Sequence, residues 1–361
     1  MKVRLAIGTE DKRYLDRLTN YLELNHLDRL EISSFTRPES FMESVNRSEQ
    51  DIYLIDESFG VNAEEVSRVG KVLILSESAD ESEGSETGIS KISKYKKPEL
   101  IFKSVLASYA ETGNHPVKGR KKNLQNSNGA KVIMSTSFSG GTGASVFAVA
   151  CAKRLAAKGL RVLYLSFSEL GESSVFFDES ASAGSFDDVI FAIKSKNIDL
   201  NLKMEAVVST DHSGVFFFAP SKNALDMLEI SASEKKVILE SLISSDTYDY
   251  IILDEEFRLS KEFISLMAMA NRIIVVSNGE KSANSKFVRA KKALELLEKS
   301  MDIQVTDDMC ILYNRFSSSC SSERIQNPGM PVLGTIPPVT HATLPHVMEF
   351  IGKQDAVFEN I

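Results

Sequence analysis

Three glycines in four positions, Gly140, Gly141 and Gly143, follow closely on a short apolar run, Val132-Ile133-Met134, and precede a stretch with helical spacing at 144–157. A strand, a glycine-rich turn and a helix N-terminus together form a cradle for phosphate. Glycine lets the backbone curl so that successive N–H groups point inward, and the helix dipole adds partial positive charge. The loop reads Phe138-Ser139-Gly140-Gly141-Thr142-Gly143-Ala144-Ser145, and Ser145 stands where a phosphate-loop hydroxyl binds Mg²⁺. No lysine occurs in this loop. A nucleotide-binding frame with reduced catalytic chemistry is therefore expected.

The chain has 361 residues, enough for two domains with their own cores. Its formal net charge of -8 works against binding to nucleic acid or anionic lipid. No apolar run reaches the ~18 residues needed to span a membrane, so direct membrane insertion is not expected. The N-terminus turns polar too early for a signal peptide. The three cysteines, Cys151, Cys310 and Cys320, are too scattered for a disulfide framework, which fits a cytoplasmic setting. His341 and His346 are five residues apart and do not share a helix face, so no metal site is expected there.

Residues 113–129 are polar, basic and apolar-poor, and read as a linker between domains at 1–112 and 130–361. Before the linker, strands at 3–7, 30–35, 52–56, 72–75 and 92–95 alternate with helices at 13–24, 38–46, 63–69 and 98–110. This alternation predicts a small parallel α/β sheet domain. Residues 77–88 carry five acids where a fourth helix would fall, and read as a solvated loop. After the linker, strands at 132–134, 162–165, 215–218, 250–253, 273–276, 310–313 and 332–334 alternate with helices at 144–157, 185–195, 233–242, 262–269, 285–299 and 344–352. Ser185 and Asp188 read as a capping box. The second domain is predicted to be a larger, doubly wound parallel sheet.

Other strand ends add to the phosphate loop. Asp254 lies at the tip of the strand Ile251-Ile252-Leu253, a position suited to holding Mg²⁺ through water. Asn314 follows Ile311-Leu312-Tyr313, where its amide could bond an adenine edge. Ile336 and Pro337 close the last strand in a rigid loop that could flank a base. All lie on the side where open α/β sheets bind ligands. Lys222, after another strand end, is a candidate substitute cation, although a solvated loop lysine is the commoner reading.

On these residues the second domain resembles the MinD/ParA class of P-loop ATPases, whose loop follows Lys-Gly-Gly-x-Gly-Lys-Ser/Thr. Ser139 and Ala144 replace the two lysines, and Ser145 matches. The family's water-positioning acid falls at Ser168, with Glu169 one residue out of register, and its Asp-x-Pro reads Asp254-Glu255-Glu256. The resemblance implies a binding site for ATP and Mg²⁺ at Ser139, Gly140, Gly141, Thr142, Gly143, Ala144, Ser145 and Asp254, with weak hydrolysis at most.

The first domain resembles receiver domains. Asp56 ends the third strand, Ser76 the fourth, and Lys97-Pro98 follows the fifth. Gly8 and Thr9 occupy the places of the paired acids that hold Mg²⁺, and Glu10 follows. Asp56 is therefore expected to be a strand-end carboxylate paired with Lys97 rather than an efficient phosphoryl acceptor.

A receiver-like (flavodoxin-like) domain joined to a lysine-poor P-loop NTPase domain is similar to the TadZ/CpaE proteins of tight-adherence (Flp) pilus assembly. The segments 171–179, 185–196, 219–231 and 272–290 contribute to the likeness. It implies a homodimer that binds ATP, recruits pilus and secretion assembly proteins, and gathers at a cell pole or a membrane-associated assembly. Two alternatives stand beside this reading: an active ParA/MinD-type positioning ATPase, and a phosphorylated response regulator. Lys281, Lys286, Arg289, Lys291 and Lys292 read as the solvated face of an amphipathic helix whose buried side is Ala290, Ala293 and Leu297, and no nucleic-acid contact is expected.

Overall fold

The computed structural model describes residues 2–47, 50–78, 89–112, 129–171, 173–178, 184–195, 198–317, 322–359 and 361. Most of the acidic stretch (79–88), the linker (113–128) and Cys320 lie outside the described residues. Contacts divide the chain into two units.

The first unit is built from β1 (Val3–Gly8), α1 (Lys12–His26), β2 (Leu30–Phe35), α2 (Pro38–Arg47), β3 (Ile52–Asp56), α3 (Ala63–Val66), β4 (Lys71–Ser76), β5 (Ile89–Ser93) and α4 (Pro98–Ala110). Its five strands are all parallel, in the order β2-β1-β3-β4-β5. Every residue of the central strand β3 is buried, because helices cover both faces of a parallel sheet. On one face, Phe41 and Val45 of α2 and Val66 of α3 pack on Ala6, Tyr53, Ile55 and Val72. Because all strands run the same way, their polar C-terminal residues gather at one edge. The fifth strand begins three residues before its expected start and ends at Ser93. Among the described residues it is an edge strand paired with β4 alone, so half-exposed Ser90 and Lys91 sit in it and mask the pattern.

Residues 191–207 also group with this first unit, although the sequence places them beyond the linker. Buried Lys203 donates to Glu111 at 3.0 Å, and Asp199 N–H donates to Ala110 C=O at 3.2 Å.

The second unit contains β6 (Lys131–Thr136), α5 (Ala144–Ala156), β7 (Val162–Ser166) and α6 (Phe186–Lys194), whose last turn the contact division assigns to the first unit. In chain order α7 (Leu200–Val207) comes next, the helix that packs with α4 in the first unit. The second unit continues with β8 (Ser209–Thr210), β9 (Val215–Phe217), α8 (Ala232–Ser244), β10 (Tyr250–Asp254), α9 (Lys261–Met267) and β11 (Arg272–Ser277). It ends with α10 (Lys281–Met301), β12 (Met309–Asn314), β13 (Val332–Ile336), α11 (Leu344–Gly352) and α12 (Asp355–Phe358). Eight strands run in the order β13-β12-β11-β6-β10-β7-β9-β8. The expected all-parallel sheet is corrected at one edge, where β8 pairs antiparallel with β9. One apolar layer sets Phe147, Val149, Cys151 and Leu155 of α5 against the sheet and against Met348 and Ile351 of α11.

The expected capping box at Ser185 is half formed. Asp188 accepts from Ser185 N–H at 3.1 Å, but the Ser185 hydroxyl turns to Asp187. A complete box opens α8 instead, at Ser231 and Glu234. In α10 the fully buried residues are Ala283, Phe287 and Leu294, whereas Ala290, Ala293 and Leu297 are half-buried.

Candidate functional site

The loop between β6 and α5 has the shape the glycines anticipate. Gly141 and Gly143 take positive φ of 75° and 86°, a region that side chains with a Cβ avoid. A Cβ at Gly140 or Gly141 would meet nothing within 4 Å. At its start the loop is pinned by Ser137, whose hydroxyl donates to Val276 C=O at 2.7 Å and accepts from Ser139 N–H at 3.2 Å. Phe138 packs edge-on against Phe257 with ring centroids 4.5 Å apart, and also touches Phe287. Among the described residues, nothing in the chain accepts from the N–H groups of Gly140, Gly141, Gly143, Ala144 or Ser145. The Thr142 hydroxyl is buried without a hydrogen-bond partner. Unspent donors at a helix N-terminus, behind an open backbone, are the features that fit the phosphates of a nucleotide.

Strand order sets the rest. β10 lies beside β6 with Asp254 opposite Ser135, so Asp254 reaches the start of α5. Asp254 is buried and accepts from Tyr164 OH at 2.7 Å. Burial pushes its carboxyl up, hydrogen bonds from Tyr164 and Ser145 oppose the rise, and Glu256 adds to it. Ser145 and Asp254, the expected Mg²⁺ pair, are thus neighbours. Sequence reasoning missed Tyr164, because a tyrosine inside an apolar strand reads as core.

Beyond β10, β7 ends at Ser166, and Ser168 follows two residues past that end. The Ser168 hydroxyl donates to Glu256 at 3.4 Å. Glu169 is held by Arg258 at 2.7 Å, and buried Glu255 by Lys235 at 2.9 Å. Both acids are engaged in ion pairs. Lys222 borders a cavity of about 260 Å³ at the ends of β7 and β9, which is also lined by Tyr164, Ser166, Ser168, Phe218 and Ser221.

Asn314 is buried at the end of β12, and its amide donates to Thr142 C=O at 2.8 Å, so it braces the phosphate loop. The Ile336 side chain lies in the apolar layer of the sheet, because it is an inward position of β13. Pro337 is exposed just after that strand.

In the first unit, Asp56 is buried at the end of β3 and fully engaged. Thr9 Oγ1 donates to it at 2.7 Å, Lys94 Nζ at 2.8 Å and Ser58 Oγ at 2.9 Å. Burial pushes the Asp56 carboxyl up, but the bonds from Lys94, Thr9 and Ser58 win and hold it below the usual carboxylate range. The lysine is Lys94, not Lys97. The fifth strand ends at Ser93, so Lys94 is the first residue past the sheet edge, whereas Lys97 is exposed at the N-cap of α4. The Lys94 ammonium also lies 5.2 Å over the Tyr14 ring. Ser76 does not meet Asp56; its hydroxyl donates to Glu57 at 2.7 Å. A Cβ on Gly8 would come 2.4 Å from Phe59, a side chain with no exposure that packs against Phe41. The place of one receiver acid is thus filled by an aromatic ring.

Residues 1–110 match the model of the TadZ-like receiver domain, and residues 130–306 match that of an AAA domain. Among curated proteins, none matches the chain. Similar solved structures include a ParA family ATPase from Chlorobium tepidum, at 18% identity and TM-score 0.48, covering 65% of this chain and 93% of that one. The cell division ATPase MinD of Pyrococcus furiosus is similar at 15% identity and TM-score 0.48, covering 64% of this chain and 100% of that one. The septum site-determining protein MinD of Pyrococcus horikoshii, complexed with Mg-ADP, is similar at 18% identity and TM-score 0.47, covering 62% of this chain and 86% of that one.

Proposed function

From a chain whose N-terminal domain belongs to the TadZ-like receiver family and whose second domain is a P-loop domain of the AAA type, we propose a Tad pilus-associated protein of the ParA kind that binds ATP with Mg²⁺ and hydrolyses it weakly or not at all. It acts as a homodimeric hub that recruits pilus assembly components, and its first domain serves as a protein-docking module. Among the described residues, no helix is long and apolar enough to cross a membrane. Recruitment to a pole or a membrane-associated assembly is therefore proposed to run through protein partners.

The observation that carries the binding reading is the row of unspent N–H donors at Gly140–Ser145, with Ser145 beside Asp254. When bound, Mg²⁺ supplies charge neutralisation between the phosphate oxygens. Ser145 and Asp254 are the residues to hold it. Weak turnover is argued from Ser168 at the place of the water-positioning acid, from Glu169 tied to Arg258, and from a loop without lysine. Transition-state charge in phosphoryl transfer is stabilised mainly by such groups.

Calorimetry with ATP·Mg²⁺ tests the reading. Saturable binding with turnover far below the 1–100 s⁻¹ typical of kinases is expected. Absence of binding, or turnover within that range, contradicts it. Light scattering tests the dimer: ATP should raise the dimer fraction, and a monomer at micromolar concentration in saturating ATP would exclude that part.

A further inference from the structure

The phosphate loop holds no cation of its own, and two cations near the same sheet edge are committed elsewhere. Lys235 pairs with Glu255, and Arg258 with Glu169. Among the described residues, one guanidinium touches the loop directly. Arg315 Nη1 donates to Gly141 C=O at 3.2 Å, and the residue is exposed. Its backbone has φ of 54°, in the left-handed region that glycine or asparagine normally fills. The preceding residue, Asn314, is buried and anchored on Thr142 C=O, so the end of β12 is fixed against the loop before the chain turns. A large charged residue held in a disfavoured backbone conformation, one position beyond a buried anchor and against the open side of a glycine loop, is poorly explained as filler.

Resting on the reading of this loop as an ATP site, we infer that Arg315 is a phosphate-binding residue that supplies the positive charge the loop lacks. A guanidinium has five N–H donors in a fixed fork, so it can hold Gly141 C=O and still present donors to phosphate oxygens. Asn314 is its positioning partner. Only a ligand with a polyphosphate chain makes full use of the charge, so the contribution grows from adenosine to AMP, ADP and ATP.

The alternative is that Arg315 only braces the loop. The test is calorimetry of the full chain with adenosine, AMP, ADP·Mg²⁺ and ATP·Mg²⁺, comparing wild type with Arg315→Gln and Arg315→Lys. Arg315→Gln keeps a donor for Gly141 but removes the charge. Expected are a roughly tenfold or greater loss of ATP affinity in Arg315→Gln, the size of one charge-assisted hydrogen bond, little change for adenosine, and substantial recovery in Arg315→Lys. The dependence of ATP affinity on salt should also flatten in Arg315→Gln. Equal losses for adenosine and ATP, or ATP affinity within twofold of wild type, would overturn the assignment and leave the ATP reading standing. If wild type binds none of the nucleotides, both fall together.

Discussion

The two sheets each carry a site that departs from its expected residues, and the departures take opposite forms. At the receiver edge the space has been closed. Phe59 fills the volume that a side chain at position 8 would need, and Asp56 is locked by Thr9, Lys94 and Ser58. At the phosphate loop the lysines are gone but the space remains open, and the backbone donors are unspent. At the receiver edge an aromatic ring thus occupies the space that a side chain at position 8 would need. A loop whose Gly140–Ser145 N–H groups have no acceptor among the described residues, and whose Gly140 and Gly141 are solvent-exposed, keeps those donors available to a ligand. On the proposed reading, the contrast separates a surface kept for its shape from a site kept for its ligand.

Substitutions can break this contrast. The largest effect is expected at the open site. In Gly143→Val the new Cβ meets Asn314 Nδ2 at 2.6 Å from a backbone at φ 86°, so ATP binding should be abolished in calorimetry while far-ultraviolet circular dichroism stays native. Binding by this variant within tenfold of wild type would remove the loop from the account.

At the closed site, Asp56→Asn should lower stability by about 3 kcal/mol or more, because it strands a buried lysine. This makes Asp56→Asn a stability lesion first, and a loss of function in it is not evidence for phosphorylation. Adding Lys94→Met should recover much of the loss in thermal unfolding. If Asp56→Asn is as stable as wild type, the locked network is not as drawn. The pH signs follow from the same pair. Asp56 is held below its ordinary value, so its contribution is present above about pH 4 and is lost as pH falls through the lowered folded value. Burial lowers Lys94, but its bond to Asp56 holds it above its ordinary value, so its contribution is lost only as pH rises through that raised value.

Gly8→Asp restores an acid at a receiver position, yet it should cost about 1–3 kcal/mol from overpacking against Phe59. It should also confer no Mg²⁺-dependent shift in melting temperature. Such a shift would show that the pocket reopens easily. The smallest effect is expected at Tyr164→Phe, which removes one hydrogen bond to Asp254 at a cost of about 1 kcal/mol. Its signature should be a changed Mg²⁺ dependence of ATP affinity with Mg²⁺-free binding unaltered. Equal changes with and without Mg²⁺ would make Tyr164 a packing residue only.

Much of the fold was legible in sequence because the strands are apolar runs bounded by turns. β2, β3, α4 and α11 fall at the expected bounds. The omissions share a cause. α7 carries Lys203, which reads as exposed but is buried on Glu111; β8 has two polar residues; α12 is a single turn. The phosphate loop was legible because glycine placement is local. Lys94 was not, because its role depends on where a half-polar edge strand ends. Nor was Asn314, because its partner lies 172 residues away in sequence.

The most direct measurement is the identity of the nucleotide recovered from the purified full-length protein after prolonged incubation with excess ATP·Mg²⁺ and removal of unbound ligand. An open cradle without the residues for turnover predicts near-stoichiometric recovery as intact ATP, with little ADP in solution. Recovery of no nucleotide, or ADP accumulating at the ~1–100 s⁻¹ typical of kinases, would contradict it.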